Sequence, residues 1–312
     1  KEQAAFEKPK EISFPYPIAS SESLTDNTYL SYNTVVGNVL DKELYLAFEV
    51  LEYALLNAPG APLKKALIDA GIGKDIMGSY DNGIYQPIFS IIAKNANEEQ
   101  KEEFLAIIRS VLEDCVKNGI SKKSLLAGIN SMEFKFREAD FGAYPKGLMY
   151  GLQCLDSWIY DEKEPFMHIE AIETYAFLKE QTKGRYFEEL VQKYLLDNTH
   201  VSVVITKPQK GLNAENEKAL EEKLAAYKAT LSKEEIDSLI ADTRHLKEYQ
   251  EEPSPKEDLE KIPLLKREDL KKDIVKLTNE ECEVAGVPAL YHDVFTSGIH
   301  YVDFMFDIKH IR

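Results

Sequence analysis

The spacing of apolar residues alternates between two and about 3.6 along residues 28–208, and this change constrains the fold more than any other feature. A period of two is typical of a strand with one buried face, and a period near 3.6 is typical of an amphipathic helix. A region that uses both periods must pack a sheet against helices. Its order of strand, helices, strands, helices and strand predicts a mixed domain of the α/β or α+β class.

Capping and turn residues support the individual elements. Residues Thr28–Val36 are rich in β-branched and aromatic side chains, which predicts a strand. Asp41 is placed to cap a helix that ends near Asn57. Pro62 and Gly71 are placed to begin and end a short second helix.

Residues 76–95 predict two strands around the turn at residues 81–83. Pro87 lacks a backbone donor, so the second strand is expected at a sheet edge or beside a bulge. An edge strand can add an extended peptide through its backbone, whereas a covering helix would prevent this. The residues of this candidate substrate-binding edge are Ile84, Tyr85, Gln86, Ile88 and Phe89.

Residues 211–263 change in composition to Glu, Lys, Ala and Leu, with two apolar stripes. Ser232 and Glu235 have the spacing of a capping box, which predicts a second helix and therefore an αα-hairpin. Strands are expected again from Ile274 onward, with a turn at residues 296–298 and a strand over residues 301–308. Too few residues follow the hairpin for a full domain, so we expect the chain to stop inside a further unit.

Composition excludes several classes of protein. A formal net charge of −16 disfavours binding to a nucleic-acid backbone. The sequence has neither an apolar run long enough for a membrane helix nor the features of a signal peptide. The expectations are a cytoplasmic location, no membrane partner and three reduced cysteines.

Catalytic motifs are absent from the sequence. No two of the six histidines stand four apart, and neither HExxH nor HxxEH occurs. Glu133 and Arg137 are expected to form a helical ion pair. The aromatic residues Phe134, Phe136, Phe141 and Tyr144 are expected in the core and not in a ligand cage. Gly71 to Asp75 fits a helix end that leads into a strand better than a phosphate loop. We therefore predict no catalytic residue and no metal ligand in this chain.

Four segments carry a family resemblance: APGAPLKKALIDAGIG, EFKFREADFGAYPKGL, the strand ending in Lys207-Pro208, and residues 246–270. In this order they resemble the middle of a presequence-protease type metallopeptidase, the falcilysin-like subfamily of the insulinase and pitrilysin superfamily. The resemblance implies an α+β fold: a mainly antiparallel sheet packed with helices, then a helical hairpin, then the first strands of a similar domain. It places a non-catalytic second domain at residues 1–210, a hinge at 211–263 and the start of a third domain at 264–312.

In that family the N-terminal domain holds zinc through HxxEH and a distant glutamate. No residue of this chain matches those positions, so that domain is expected to be missing from it. The resemblance therefore implies a chamber wall and hinge in a peptidase that degrades unfolded peptides, with no cofactor in this chain. The remaining domains of the same polypeptide and unfolded peptides would be its partners, and this chain alone would be inactive. The alternative is a stand-alone scaffold or peptide-binding module of the same fold.

Overall fold

The computed structural model describes residues 2–270, 273, 276 and 278–311, and these form two compact units. The first unit contains the described residues up to Leu212 and those from Ser297 onward. The second unit contains residues 213–296. The predicted start of new strands at Ile274 lies outside the described residues.

The first unit is built on a five-stranded sheet. Its strands are β1 (Lys10–Ile18), β2 (Thr28–Val35), β3 (Asp75–Asp81), β4 (Ile88–Ala96) and β5 (Val201–Lys210). They lie in the order β1-β5-β2-β4-β3, with β1 and β5 parallel and all other neighbours antiparallel. The prediction of an α+β fold with a mainly antiparallel sheet is confirmed.

Seven helices of the first unit lie between these strands. They are α1 (Lys42–Glu52), α2 (Pro62–Asp69), α3 (Lys101–Asn118), α4 (Lys122–Glu138), α5 (Lys146–Trp158), α6 (Ile172–Gln181) and α7 (Tyr186–Val191). Single π-helical turns extend α1 through Asn57 and α7 through Leu196. The predicted cap of α1 is present, because the Asp41 carboxylate accepts a hydrogen bond of 2.9 Å from the Leu44 amide.

Helix α1 lies at the centre of the hydrophobic core. Phe48 and Leu51 are completely buried, and the Phe48 ring meets the rings of Phe89 and Tyr194 edge to face at 5.7 Å. Such geometry suits the charge distribution of aromatic rings. Phe104 of α3 is equally buried in the same core. The helices and the sheet thus share one core.

The predicted connection from α2 into a strand is also confirmed. Gly71 has φ +72° after the end of α2, and Gly73 has φ +65° two residues before the start of β3. The Lys74 amide then donates to the Lys94 carbonyl at 2.8 Å, which begins the pairing with β4. A side chain at Gly73 would lie 2.5 Å from that same carbonyl oxygen, so both backbone shape and space require glycine there.

The second unit consists of a helical hairpin followed by small elements. Its helices are α8 (Leu212–Thr230), α9 (Lys233–Glu251) and α10 (Lys256–Leu259). Its strands are β6 (Glu280–Val284) and β7 (Val287–Tyr291). The first residue of α8 still belongs to the first unit. The predicted capping box is present: the Glu235 amide donates to Ser232 Oγ at 3.1 Å, and the Ser232 amide donates to the Glu235 carboxylate at 2.8 Å. No residue of α8 or α9 is buried.

The predicted strand at Tyr301–Ile308 is wrong for the described structure, although the turn before it is present. Ser297 and Gly298 have φ +53° and +82°. Residues 301–308 alternate apolar side chains but form no ladder with any described strand. Alternation specifies which side chains share a face, whereas a strand also needs a neighbouring backbone.

Candidate functional site

The proposed substrate-binding edge is not an edge. Strand β4 pairs with β2 on one side and with β3 on the other, so Ile88 lies between Val35 and Asp81. Both rows of backbone hydrogen-bonding groups are therefore occupied, and Phe89 is completely buried. The sequence argument failed because Pro87 precedes the strand, where a missing donor breaks no ladder bond.

The other three residues of that candidate lie in the connection from β3 to β4. The side chain of Gln86 accepts from the Gln3 amide at 2.8 Å and donates to the Gln3 carbonyl at 3.1 Å. Tyr85 accepts from the Val39 amide at 2.9 Å through its backbone carbonyl. Ile84 is 38% exposed. The structure does not bring the five candidate residues together on one open face, and any contact of Ile84 with substrate stays a prediction.

Strand β3 is an edge of this sheet in the described part of the chain, because it pairs with β4 alone. Its exposed side chains include Asp75, Met77 and Asp81. Charged residues are common on edge strands because they discourage pairing with other chains. The acids at both ends of β3 were the sequence signal that could have placed the edge here.

A group of polar side chains surrounds one side of α1. The Tyr45 hydroxyl donates to the Asp156 carboxylate at 3.0 Å, and the Tyr45 ring stacks on the His168 ring at 3.9 Å. One turn later, Glu49 accepts from the Asn82 side chain at 2.8 Å. These contacts join α1 to α5, to the segment before α6 and to the β3–β4 connection.

Burial controls the protonation of this group. It raises the pKa of Glu49 to about 7, because the Asn82 hydrogen bond only partly offsets the loss of water. It lowers the pKa of His168 to about 4, against a smaller opposing effect of the Val39 backbone. Burial also raises the pKa of Asp156. Tyr80 Oη and His168 Nε2 are buried without a hydrogen-bond partner among the described residues.

These residues do not fit a zinc site. Tyr45 and Glu49 have the four-residue spacing of a helical metal pair. Zinc prefers histidine, cysteine or carboxylate ligands, however, and the tyrosine hydroxyl is none of these. The Tyr45 hydroxyl is committed to Asp156. Across the described residues, no three His, Cys, Asp or Glu side chains gather in a way that could hold a metal ion.

Two expectations about α4 have different outcomes. Glu133 and Arg137 form the predicted ion pair at 2.7 Å, and Lys179 of α6 adds a contact of 2.5 Å that the sequence did not indicate. Of the four aromatic residues expected in the core, Phe136 is partly buried and packs against it. The expectation is wrong for Phe134 and Tyr144, because these side chains are 44% and 66% exposed.

The second unit carries an apolar groove of its own. The groove has a volume of about 500 Å³ and lies between α8 and α9. Its apolar lining residues are Leu224, Tyr227, Leu231, Ile236, Leu239 and Ile240. Several of these side chains remain about half exposed. This hairpin therefore lacks a closed core.

Family models match two parts of the chain. Residues 2–132 match the inactive domain of the M16 peptidases, and residues 206–312 match the family of regions associated with subfamily C of the same peptidases. Their order agrees with an α+β domain followed by a region that begins near the helical hairpin.

Curated relatives match the chain over nearly its whole length. Protein HypA of Clostridium perfringens is 43% identical over 100% of this chain and 32% of its own length. Presequence protease 1 of Arabidopsis thaliana, chloroplastic/mitochondrial, is 30% identical over 99% of this chain and 29% of its own length. The chain thus spans about a third of these relatives.

A solved peptidase M16 inactive domain from Pseudomonas fluorescens is 15% identical over 67% of this chain and 46% of its own, with a TM-score of 0.44. The family is shown by the sequence matches. The chain belongs to the M16 peptidase family, the insulinase and pitrilysin superfamily, as a middle segment of the presequence-protease type.

Proposed function

We propose that this chain is the non-catalytic central part of a zinc-dependent metalloendopeptidase that degrades unfolded peptides in a closed chamber. Residues 1–210 would form part of the chamber wall, and the hairpin at residues 211–263 would act as the hinge. Residues 264–312 would begin a third domain. Zinc would be held elsewhere in the parent polypeptide.

The observation that carries this proposal is a match to the M16 inactive domain on a unit without a metal-binding donor set among its described residues. A domain of a peptidase family that cannot bind the catalytic metal still contributes surface and geometry to the assembly. Relatives named presequence protease support a peptide substrate for the parent protein.

The hairpin supports the hinge assignment. Helices α8 and α9 expose apolar side chains along much of their length and bury none of them. Helices of this kind depend on a partner for most of their stability, because isolated helices are marginal in water. A hinge element that packs differently in open and closed states has this character.

Peptide hydrolysis by two proteins tests the proposal. The 312-residue chain, supplied with zinc, is expected to leave a long unstructured peptide intact. The complete gene product is expected to cleave the same peptide and to lose this activity with a chelator. Hydrolysis by the 312-residue chain after dialysis against chelator would overturn the proposal.

The second candidate is a stand-alone scaffold or peptide-binding module of the same fold. It is favoured if the complete gene product has no domain with a zinc-binding motif.

The described residues contain no helix long and apolar enough to cross a bilayer. The cytoplasmic location stays a prediction, since several relatives are named as mitochondrial proteins. The absence of nucleic-acid partners also stays a prediction.

A further inference from the structure

The groove between α8 and α9 combines an apolar floor with a basic border. Its charged lining residues are Lys228, Arg244 and Lys247, and no acidic side chain lines it. The hairpin itself, residues 212–251, contains ten acidic and six basic residues. Half of its basic residues therefore border the groove, and all of its acids lie elsewhere on the two helices. The groove thus has a charge opposite to that of the chain, whose net charge is −16.

The three basic residues of the groove have no anionic partner within the described structure. None of them forms an ion pair there, whereas Lys218, outside the groove, lies 3.9 Å from the carboxylate of Glu222. Like charges around one apolar patch repel one another, and anions placed between them remove this repulsion. The groove is therefore complementary to a surface that is apolar in the middle and acidic at its borders.

The helical backbone of the hairpin decides which secondary structure such a partner has. Both walls are helices, so their amides and carbonyls are already paired within α8 and α9. The Thr243 hydroxyl of the lining is also committed, because it donates to the Leu239 carbonyl at 2.7 Å. An extended peptide would bring unpaired backbone groups against this surface, whereas a helix pairs its own. The groove therefore suits a helix in the helix-in-groove mode of recognition.

The dimensions and charges of the groove disfavour two other occupants. Its α9 wall extends from Ile236 to Lys247, about 17 Å or three helical turns, which matches a short helix. A second copy bound symmetrically through the same groove would bring two sets of three cations together. A bilayer is flat, and an anionic one would also repel the acids of the hairpin.

We propose that the α8–α9 groove binds an amphipathic helix of a partner whose apolar stripe is bordered by glutamate or aspartate. The stripe would cover Leu224 and Leu239, and the carboxylates would pair with Lys228, Arg244 and Lys247. Burial of apolar surface would supply most of the affinity, and the charges would select acidic helices over basic ones. This inference goes beyond the proposed function, since it requires neither zinc nor a moving hinge.

Titration with two labelled synthetic peptides tests the inference. The first peptide has about 14 residues, with leucines three and four positions apart and glutamates beside them. The second peptide replaces every glutamate with lysine. We expect the 312-residue chain to bind the glutamate peptide at least about tenfold more tightly at about 50 mM salt. The difference should shrink at about 500 mM salt, because salt screens the charges.

Fluorescence anisotropy of the label measures both affinities, and circular dichroism measures the helix content. The glutamate peptide should gain helix content on binding, because short helices are marginal in water until they pack on a partner. Bound peptide should also slow hydrogen exchange in α8 and α9 and leave exchange in α3 unchanged.

Two triple variants with the same change in charge locate the contact. The groove variant carries Lys228→Gln, Arg244→Gln and Lys247→Gln. The control variant replaces the other three basic residues of the hairpin, which do not line the groove: Lys218→Gln, Lys223→Gln and Lys233→Gln. The groove variant should bind the glutamate peptide about tenfold more weakly, and the control should stay within about twofold of wild type. Glutamine is a good helix former, so both free variants should keep their helix content.

Four results would overturn the inference. The first is equal affinity for the glutamate and lysine peptides, and the second is equal weakening in the two triple variants. The third is binding of the glutamate peptide without a gain in helix content. The fourth is that the groove residues instead support self-association at rising concentration, or binding to vesicles containing phosphatidylglycerol, while neither peptide binds. Each of these results leaves chelator-sensitive hydrolysis as a separate test of the proposed function.

Discussion

Helices α1 and α8 differ in what covers them, although similar apolar spacing predicted both. Helix α1 buries seven of the eight residues from Leu44 to Leu51, whereas α8 buries none. On α8, Leu220, Leu224 and Tyr227 are all more than half exposed. Periodicity thus indicates which side of a helix is apolar, and it does not indicate whether the same chain supplies the partner.

The largest expected effect comes from truncating one leucine to alanine in each helix. Leu51→Ala in α1 should lower the free energy of unfolding by about 2–5 kcal/mol, because it leaves a cavity in a closed core. Leu224→Ala in α8 should cost less than about 1 kcal/mol, since that side chain is already 54% exposed. Urea unfolding followed by the fluorescence of Trp158 and by circular dichroism measures both. Equal losses would contradict the contrast.

The second test measures how the stability of the first unit depends on pH through the protonation of Glu49. Its pKa is about 7 when folded, above the ordinary value of 4.5, so the folded state holds the proton more tightly. This contribution to stability is therefore lost as pH rises from about 4.5 through about 7. Glu49→Gln should remove the loss and stabilise the chain at pH 8 by about 2 kcal/mol.

His168 acts in the opposite direction, which provides the control for the pH experiment. Its pKa falls to about 4 on folding, so its contribution to stability is lost as pH falls from about 6.5 toward about 4. Thermal unfolding of wild type, Glu49→Gln and His168→Asn between about pH 4 and 8 separates the two effects. An unchanged pH profile in Glu49→Gln would rule out this role for the carboxyl group.

Two glycines sharpen the comparison between covered and uncovered surface. Gly78→Ala should destabilise the chain by about 1–3 kcal/mol, because its new carbon would lie 2.7 Å from a methyl group of the buried Leu56. Gly151→Ala should instead stabilise the chain by up to about 1 kcal/mol, because nothing lies near that position and alanine favours the helix. Unfolding midpoints in urea measure both changes. Loss of stability in Gly151→Ala would show that the chain itself requires this glycine.

The smallest expected effect lies at the turn of the hairpin. Ser232→Ala removes the side-chain acceptor for the Glu235 amide and should cost about 1 kcal/mol of local helix stability. The loss should appear as reduced helical circular dichroism without a change in the fluorescence of Trp158, which lies in the first unit. Ser232→Thr retains the hydroxyl and should behave like wild type.

Local elements were predictable because their signals lie within a few residues. The cap at Asp41, the end of α2 at Gly71 and the capping box at Ser232 each depend on contacts between near neighbours. The order of strands in the sheet depends instead on pairings between distant segments. That is why a correct prediction of β4 was combined with a wrong prediction that it forms an edge.

The candidate site was less predictable for the same physical reason. Tyr45 and Asp156 form a hydrogen bond across 111 residues, and neither belongs to a motif that would link them. The exposure of Phe134 and Tyr144 was also hidden, since an aromatic side chain in a sequence gives no sign of whether its partner lies in the same unit. Family resemblance supplied the functional context that spacing alone could not.

The parallel pairing of β1 with β5 has a mechanical consequence. Lys10 lies opposite Ser202 and Ile18 lies opposite Lys210, so the chain enters β1 and leaves β5 at opposite ends of the sheet. Strand β5 is also paired with β2 on its other side. A pull along the chain at Lys210 would therefore load two ladders of hydrogen bonds in shear, all at once, rather than open them one by one. The sheet is built to withstand tension where the hairpin begins.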